Sequence, residues 1–475
     1  MTNPIKADIC VIGAGSAGLS VAAGAAQMGA RTVLIESDRM GGDCLNTGCV
    51  PSKSLLAAAK VAETIRKASY FGVEAGDPRV NFPRVRDYVH SVIAGIAPHD
   101  SVERYTGLGC RVIQARARFI DDKTVEAGGD HIQARRFVIA TGSRAAVPPI
   151  PGLDGVPFFT NESIFENTVL PEHLIVIGAG PIGCEMAQAH RRLGSRVSVL
   201  DLGPMMPKDD PDAVDVVRQQ FLAEGIDTTE SIKALRVEKG DAGIGVAIVS
   251  DGRERRIDGS HILIATGRRP NVEDLGLDVA GVRYSPKGVE VDARLRTSNK
   301  NIFAAGDVAG SHQFTHVAGY HAGIVIRNAL FRLPAKTSTK AVPWVTYTDP
   351  ELAHVGLSDA DARKAYGDSV RIVRAEFSGN DRAQTENTKQ GFLKGVLSKR
   401  GIILGATIVG PHAGELILPW VLAVSKGMKI GVLAGLIAPY PTLSEITKRA
   451  AGSYYTPALF SARTRAVVRF LGAFG

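Results

Sequence analysis

Two cysteines five residues apart, Cys44 and Cys49, have the residue type and spacing for reversible disulfide chemistry. Pro51 and the helix-forming residues after it predict a helix start, so Cys49 would lie at a helix N-terminus, where the dipole and free N–H groups favour a thiolate. Lys53 follows Cys49 by four residues, falls on the same helix face and adds positive charge. The pattern predicts a redox disulfide rather than a structural one.

Two alternatives stay open for these cysteines. They could be buried thiols without chemistry, or they could be half of a metal site. The other three cysteines, Cys10, Cys110 and Cys184, provide no second pair at metal-ligand spacing. The redox interpretation is therefore favoured, and no metal-ligating residues are predicted.

An internal repeat with an offset of 165 residues indicates the elements that position the pair. Residues 8–18 predict a strand, a Gly-x-Gly-x-x-Gly turn and a helix start, and the next strand ends at Glu36. Residues 174–183 repeat this unit, and the strand after them ends at Asp201. In such a turn the middle glycine lets the backbone approach a pyrophosphate, and the acid accepts hydrogen bonds from ribose hydroxyls. The repeat predicts two dinucleotide sites.

Composition limits the class of protein. The 475 residues suit about three domains, and 45% apolar with 22% charged residues is an ordinary globular composition. The net charge is +8, but five of these charges follow Glu445, so nucleic-acid binding is not expected. The uncharged residues 9–30 contain the glycine turn and are predicted as buried structure rather than a membrane span. Few cysteines and no strongly basic leader predict a cytoplasmic protein.

Three shorter apolar strands accompany the repeat. Residues 138–143 and 263–268 each run into an Ala-Thr-Gly turn, whose small residues let the backbone pass close to a cofactor. Residues 301–307 predict one more buried strand that ends in an acid. Three prolines between positions 148 and 151 mark one domain boundary, and a second is predicted near residue 334.

Together these motifs resemble the flavoprotein disulfide reductases, which include dihydrolipoamide dehydrogenase, glutathione reductase and mercuric reductase. The resemblance covers about residues 8–450 and includes Thr348–Glu351, which opens a C-terminal domain. It implies an α/β fold with two Rossmann-like dinucleotide-binding domains, for FAD and NAD(P), and a C-terminal α+β domain that forms a homodimer. The predicted divisions are 1–150 and 271–338 for the FAD-binding domain, 151–270 for the NAD(P)-binding domain, 339–450 for dimerisation and 451–475 for a basic amphipathic tail.

The resemblance also implies roles for individual residues. Lys53 and Glu185 would pair beside the flavin ring, and Asp307 would contact the ribityl chain. The implied catalytic residues are Cys44, Cys49, Lys53, Glu185, Tyr440 and Glu445. The implied FAD-binding residues are Gly13, Gly15, Ser16, Ala17, Gly18, Glu36, Gly42, Asp43, Lys53, Ala115, Ala140, Thr141, Gly142, Asp307 and Thr315. The implied NAD(P)-binding residues are Gly178, Gly180, Pro181, Ile182, Gly183, Asp201 and Gly267.

The reaction implied by the resemblance passes hydride from NAD(P)H to the flavin and then opens the Cys44–Cys49 disulfide. Cys49 would stay beside the flavin as a thiolate, and Cys44 would become the exposed nucleophile that attacks the acceptor. Asp201 favours NADH because a carboxylate repels a 2′-phosphate. Three arginines between residues 191 and 196 could weaken that preference, so NADPH stays open.

One position departs from the family pattern. The reductases for lipoamide and glutathione carry a general acid/base histidine where this chain has Tyr440, and Glu445 therefore lacks that partner. A phenol with a pKa of about 10 is a poor base at neutral pH, which disfavours dithiol–disulfide exchange. Tyrosine there resembles mercuric reductase, although no cysteine follows Cys184 to pass on Hg(II). Alternatively, Tyr440 is a core residue of the dimer interface.

The sequence therefore predicts an FAD enzyme that uses NAD(P)H to reduce a thiol-reactive acceptor through its cysteine pair. The acceptor would be a soft metal ion such as Hg(II), a small disulfide or another electrophile. Two alternatives stay open: dihydrolipoamide dehydrogenase activity despite Tyr440, and a non-catalytic flavin redox sensor or carrier that docks a partner protein.

The basic tail also has two interpretations. A helix from Leu459 would place the large apolar side chains on one side with Arg463 among them, and Arg465 and Arg469 on the other. The apolar side would either pack on the protein's own surface or bind an anionic membrane surface through residues 458–475.

Overall fold

The computed structural model describes residues 3–240, 243–250, 252–310 and 312–474. The chain forms two compact units. The first consists of Met1–Leu202 and Thr229–Ser338, and the second of Gly203–Thr228 and Thr339–Gly475. Within the described ranges, no helix is both long enough and apolar enough to cross a membrane.

A seven-stranded sheet forms the centre of the first unit. Ile5–Ile12 pairs in parallel with Thr32–Glu36 on one side and with Asp130–Ile139 on the other. Residues 9–11 are buried on both faces of the sheet, as expected where helices cover a parallel sheet on both sides. The remaining strands of this sheet are Cys110–Gln114, Ala117–Phe119, Thr124–Ala127 and Ile302–Ala304.

The same unit contains a second parallel sheet. His173–Ile177 pairs in parallel with Arg196–Leu200 and with His261–Ile264. In both sheets a buried strand runs into a glycine turn and a helix, so the predicted α/β class with two Rossmann-like units is confirmed. The other strands of the first half and middle of the chain are Ser143–Ala145, Asp227–Thr229, Ala234–Gly240, Gly243–Ser250, Arg253–Gly259, Arg268–Pro270, Tyr284–Ser285 and Gly288–Val289.

Some helices of the first unit begin at a start signal in the sequence. The 18-residue helix Cys49–Arg66 confirms the helix start predicted near Pro51. Asn81 caps the next long helix by accepting the backbone N–H of Arg84 at 3.2 Å. The helices of this unit are Ser16–Gln27, Gly42–Asn46, Cys49–Arg66, Phe82–Ile96, Val102–Gly107, Pro181–Leu193 and Thr315–Ala329, with shorter 3₁₀ turns at Ala68–Phe71, Ala97–Asp100, Leu153–Gly155, Ile164–Glu166 and Asp307–Ala309.

The second unit is an antiparallel sheet covered by short helices. Its core includes the fully buried Trp420. In sheet order the strands are Pro343–Thr346, Glu351–Gly356, Ile403–Gly410, Phe392–Leu397 and Arg371–Glu376. The helices are Pro211–Ala223, Asp359–Tyr366, Asp381–Thr385, Ala413–Leu416, Leu418–Lys426, Gly431–Ala434, Glu445–Ser453, Thr456–Leu459 and Ala462–Leu471, with 3₁₀ turns at Gly367–Ser369 and Phe377–Gly379. The α+β character predicted for the C-terminal part is confirmed.

Two segments bear on the predicted divisions, which stay predictions. Gly203–Thr228 belongs to the second unit, although the sequence places residues 151–270 in one nucleotide-binding domain. Helix Pro211–Ala223 of this segment contacts strands Glu351–Gly356 and Ile403–Gly410. Lys394 Nζ also lies 2.8 Å from both carboxylate oxygens of Asp210, which caps this helix. In addition, helix Glu445–Ser453 runs across the division predicted at residue 450.

The tail helix begins later than predicted. A short helix ends at Leu459, and the longer helix starts at Ala462 rather than at Leu459. Ser461 determines this start, because its hydroxyl accepts the backbone N–H of Thr464 at 3.2 Å and acts as an N-cap. Phe460 therefore precedes the helix instead of belonging to it.

Candidate active site

In the first glycine turn, the backbone at Gly15 has free space beside it. A Cβ atom at Gly13 would collide with the carbonyl oxygen of Ala140, and a Cβ at Gly18 would collide with the carbonyl oxygen of Gly13. A Cβ at Gly15 would meet nothing nearer than Gly42 Cα, at 3.9 Å. Gly13 and Gly18 are thus required by packing, whereas Gly15 leaves space in front of the helix that starts at Ser16.

The second turn repeats this geometry. A Cβ atom at Gly178 would collide with Ala265, and one at Gly183 would collide with Gly178, while nothing lies within 4 Å of a Cβ at Gly180. The helix after it starts at Pro181 and has neither a side-chain cap nor an acid in its first turn. An uncapped helix N-terminus behind open glycine backbone is suited to bind a phosphate group.

The two acids make matching hydrogen bonds. Glu36 Oε2 accepts the backbone N–H of Ala14 at 2.6 Å, and Asp201 Oδ2 accepts the backbone N–H of Ala179 at 2.6 Å. Each carboxylate is therefore fixed beside its glycine turn, at the carboxyl end of its strand. Open glycine, uncapped helix and fixed carboxylate together fit a dinucleotide at both positions.

The other predicted cofactor residues lie around these turns. Ser16 and Ala17 form the first helical turn after Gly15, and Pro181 and Ile182 form the equivalent turn of the second helix. Ala115 follows the strand that pairs with the Glu36 strand and is therefore at the same end of the sheet.

The structure joins the two Ala-Thr-Gly turns. Ser143–Ala145, which follows Gly142, pairs with Arg268–Pro270, which follows Gly267. Thr141 Oγ1 donates to the carbonyl oxygen of Asn271 at 2.7 Å. Turns predicted separately from residues 138–143 and 263–268 thus meet in one place.

An arginine that the sequence did not identify connects the acids here. Arg268 Nη2 lies 3.1 Å from Asp43 Oδ2, and its Nε donates to Ser143 Oγ at 2.8 Å. Ser143 in turn donates to Asp307 Oδ2 at 2.5 Å. Burial raises the pKa of Asp307, and the hydrogen bond from Ser143 opposes that rise. The only sequence signal for Arg268 and Ser143 is that each directly follows an Ala-Thr-Gly turn.

The cysteines lie on two successive helices. Cys44 is in the short helix Gly42–Asn46, and Cys49 is the first residue of helix Cys49–Arg66. Both are free thiols in this structure. Thr315 Oγ1 lies 3.3 Å from Cys49 Sγ.

The surroundings of the two cysteines change their thiol pKa values in opposite directions. The hydrogen bond from Cys44 lowers the pKa of Cys49 to about 6, and Thr315 and Lys53 act in the same direction against burial. Donating this hydrogen bond raises the pKa of Cys44, and burial raises it further. These surroundings favour the thiolate at Cys49 and the protonated thiol at Cys44. The roles that the family resemblance implies for the two cysteines stay predictions.

Exposure follows the opposite order in the polypeptide. Cys49 is exposed and Cys44 is half-buried, whereas the predicted roles make Cys44 the exposed nucleophile. If Cys49 lies beside the flavin as predicted, a bound flavin would cover it, and its exposure is that of the polypeptide alone. The assignment of Cys44 as nucleophile stays a prediction.

The predicted lysine–glutamate pair is present. Lys53 Nζ donates to Glu185 Oε2 at 2.8 Å, and the Glu185 side chain is only 5% exposed. Lys53 lies one turn after Cys49, and Glu185 lies in the helix that follows the second glycine turn. The pair therefore connects the cysteine helix to the second nucleotide-binding sheet.

Tyr440 and Glu445 belong to the second unit. Tyr440 is 71% exposed, so it is not a core residue of the single chain. Its hydroxyl donates to Asp381 Oδ2 at 3.0 Å, and this hydrogen bond to a carboxylate raises the pKa of Tyr440. Glu445 is the first residue of helix Glu445–Ser453. Among the residues described, no group of three His, Cys, Asp or Glu side chains is placed to hold a metal ion.

Comparison with known proteins agrees with this geometry. Residues 7–322 match the family model of the pyridine nucleotide-disulphide oxidoreductases, and residues 342–451 match the dimerisation domain of that family. The second match supports the predicted homodimer.

Relatives of two activities are similar over nearly the whole chain. Mercuric reductase of Staphylococcus aureus is 33% identical over 94% of this chain and 82% of its own length. Dihydrolipoyl dehydrogenase of Thermus scotoductus is 35% identical over 95% of this chain and 98% of its own length.

Solved structures show the same fold. The Cu(II) complex of the HOCl-induced flavoprotein disulfide reductase RclA from Escherichia coli has a TM-score of 0.84 and 26% identity, over 95% of this chain and 100% of that one. LpdA from Mycobacterium tuberculosis has a TM-score of 0.86 and 28% identity, over 95% of this chain and 99% of that one. The chain therefore belongs to the pyridine nucleotide-disulphide oxidoreductase family, whose enzymes use FAD and NAD(P)H.

Proposed function

We propose that this enzyme takes two electrons from NAD(P)H and passes them through Cys44 and Cys49 to a thiol-reactive acceptor, with a soft metal ion as the favoured class. The observation that carries the choice of acceptor is the hydrogen bond from Tyr440 to Asp381. This hydrogen bond raises the pKa of Tyr440. Tyr440 occupies the position at which thiol-exchanging relatives have a basic histidine.

The nucleotide sites support the cofactor part of the proposal. When bound, FAD supplies hydride acceptance and two-electron transfer to a disulfide. Gly15 and the helix after it would hold the pyrophosphate, Glu36 the ribose, and the carboxylates joined by Arg268 would lie along the rest of the cofactor. Asp201 would bind the ribose of NADH and disfavour NADPH.

The cysteines support the acceptor part. A thiolate at Cys49 beside a protonated Cys44 gives two soft sulfur ligands five residues apart. Reduction of Hg(II) follows NAD(P)H + Hg²⁺ → NAD(P)⁺ + Hg⁰ + H⁺, and reduction of Cu(II) to Cu(I) follows NAD(P)H + 2 Cu²⁺ → NAD(P)⁺ + 2 Cu⁺ + H⁺. In neither case does a proton have to be delivered to the acceptor. Reduction of a disulfide follows NAD(P)H + H⁺ + RSSR → NAD(P)⁺ + 2 RSH, and the leaving thiolates have to be protonated. Tyr440 is poorly suited to that delivery.

Dihydrolipoamide oxidation is the second candidate. Relatives with this activity are as similar in sequence as the mercuric reductases are. This activity is disfavoured because the exchange step needs a group that gains and loses a proton near neutral pH, and the hydrogen bond to Asp381 raises the pKa of Tyr440 further from that range.

The remaining predictions belong to the same proposal. These are a cytoplasmic location, NADH as the preferred donor and the domain divisions at residues 150, 270, 338 and 450. A reducing compartment suits a dithiol that must be regenerated in each turnover.

An acceptor panel tests the proposed function. The holoenzyme would be supplied with NADH without oxygen and offered Hg(II), Cu(II), lipoamide or glutathione disulfide, in wild type, in Cys44→Ser and in the control Cys110→Ser, a buried thiol. We expect turnover with a metal ion that falls at least about a hundredfold in Cys44→Ser and is kept in Cys110→Ser. Faster turnover of lipoamide than of either metal ion would contradict the proposal.

A further inference from the structure

The C-terminal helix has largely exposed side chains. Helix Ala462–Leu471 has an N-cap at Ser461, and Arg465 Nη2 donates to the carbonyl oxygen of Phe460 at 2.9 Å. None of its residues is buried in the chain. A formed helix with no buried face in the single chain indicates that its contacts lie outside that chain.

Its exposed side chains are large and apolar. Phe470 is 65% exposed and Phe474 is 76% exposed, and their rings contact each other edge to face at 5.0 Å. Val467 and Leu471 are on the same side of the helix by spacing, at about 100° per residue. An apolar side of this size marks a surface for binding another apolar body.

The charges of this segment have one sign. Glu445 is the last acidic residue of the chain, and five basic residues follow it: Lys448, Arg449, Arg463, Arg465 and Arg469. Arg465 and Arg469 are four residues apart, and by the same spacing they fall on the side opposite Val467 and Phe474. Arg463 falls within the apolar side, where its long stem allows the guanidinium to reach the polar boundary.

We propose that residues 458–475 bind an anionic lipid surface, with the helix lying in the plane of the interface. The aromatic and aliphatic side chains would enter the boundary of the acyl chains, and the arginines would contact anionic headgroups. Charge decides between this surface and a second copy of the tail, since two copies would bring the same arginines together with no acid to pair them. The inference is independent of the acceptor, because it concerns where the reductase is held and not what it reduces.

Vesicle co-sedimentation of the holoenzyme tests this proposal. Vesicles of phosphatidylcholine alone would be compared with vesicles in which about one lipid in three is phosphatidylglycerol. We expect the wild type to sediment with the anionic vesicles only and to be released by high salt.

Two variants separate the contributions, and the charge-reversal variant has a matched control. Arg465→Glu/Arg469→Glu should weaken binding to the anionic vesicles at least about tenfold, whereas Lys399→Glu/Arg400→Glu, the same change in charge on an exposed turn, should not. Phe470→Ser/Leu471→Ser should abolish binding to the anionic vesicles, because it removes apolar side chains that would enter the acyl-chain boundary.

Three results would overturn the proposal. The first is a wild type that does not sediment with anionic vesicles, and the second is equal loss in the two charge-reversal variants. The third is a Phe470→Ser/Leu471→Ser variant that keeps vesicle binding but becomes a monomer in analytical ultracentrifugation, which would assign the apolar side to a second copy. Deleting residues 458–475 should leave metal-ion turnover without vesicles unchanged.

Discussion

Thr315 Oγ1 lies 3.3 Å from Cys49 Sγ, although 266 residues separate the two positions in the chain. Each is the first residue of its helix, Thr315–Ala329 and Cys49–Arg66 respectively. Two helix N-termini therefore approach one sulfur atom, and both dipoles favour negative charge there. This convergence, together with the hydrogen bonds to the sulfur, gives the low pKa of Cys49 a physical basis.

Thr315→Val should make the Cys49 thiolate harder to form. The substitution removes the hydroxyl and keeps the shape, and a hydrogen bond to a charged group is worth about 1.5–3 kcal/mol. We expect the pKa of Cys49 to rise from about 6 by about one to two units. Since the thiolate is lost as pH falls through this pKa, its absorbance in the dithiol enzyme should disappear at higher pH than in wild type.

Thr64→Val is the control for that measurement. Thr64 is in the same helix as Cys49, but its hydroxyl donates only locally, to the carbonyl oxygen of Lys60 at 2.8 Å. Equal titration midpoints in wild type and Thr315→Val would show that Thr315 does not contact the thiolate.

Lys53→Met should destabilise the first unit. It removes the ammonium that lies 2.8 Å from the nearly buried Glu185 carboxylate, and loss of this partly buried ion pair should cost about 2–3 kcal/mol. Lys67→Met is the matched control, since Lys67 pairs with Glu63 at 3.1 Å on the exposed side of the same region and should cost at most about 0.5 kcal/mol. The midpoint of urea-induced FAD release measures both, and similar shifts in the two variants would contradict this account.

Local patterns in the sequence predicted the parts of the site that depend on local geometry. The glycine turns, the acids at the ends of the strands and the helix start at Cys49 follow from neighbouring residues, so the structure reproduces them. The Lys53–Glu185 contact could be expected only through the family resemblance, because it depends on how two helices pack.

Contacts between distant residues were not predictable in the same way. Arg268 lies near Asp43 because strand Arg268–Pro270 pairs with strand Ser143–Ala145. The spacing of these residues in the sequence does not predict that pairing. Asp210 likewise contacts Lys394, which is 184 residues away in the chain. The amphipathic pattern places the start of the tail helix at Leu459, which is wrong, because the N-cap Ser461 sets the start at Ala462.

Asp201→Asn should reduce the preference for NADH. The variant keeps an oxygen that can accept the N–H of Ala179 but removes the negative charge that repels a 2′-phosphate. We expect the ratio of kcat/KM for NADH to that for NADPH to fall about tenfold, which corresponds to about 1.4 kcal/mol. Glu36→Gln, the equivalent change in the repeat, should weaken FAD retention and leave the ratio unchanged. An unchanged ratio in Asp201→Asn would remove Asp201 from donor selection.

Tyr440→His should add thiol exchange. Replacing a phenol of raised pKa by imidazole restores a base at neutral pH, and Glu445 five residues later is available to orient it. We expect dihydrolipoamide oxidation to rise at least about a hundredfold over wild type. Tyr440→Phe serves as the control and should show no gain. If wild type already oxidises dihydrolipoamide as fast as Tyr440→His, the preference for a metal ion is wrong.

The central claim is that electrons leave the enzyme through the sulfur pair beside the flavin. Anaerobic titration of the purified holoenzyme with NADH, followed by visible absorbance, tests it most directly. Wild type should develop a long-wavelength absorption band from the Cys49 thiolate, Cys44→Ser should show this band and Cys49→Ser should lack it. Bleaching of the flavin with no such band in wild type, or full metal-ion reduction in a variant with serine at both positions, would contradict the account.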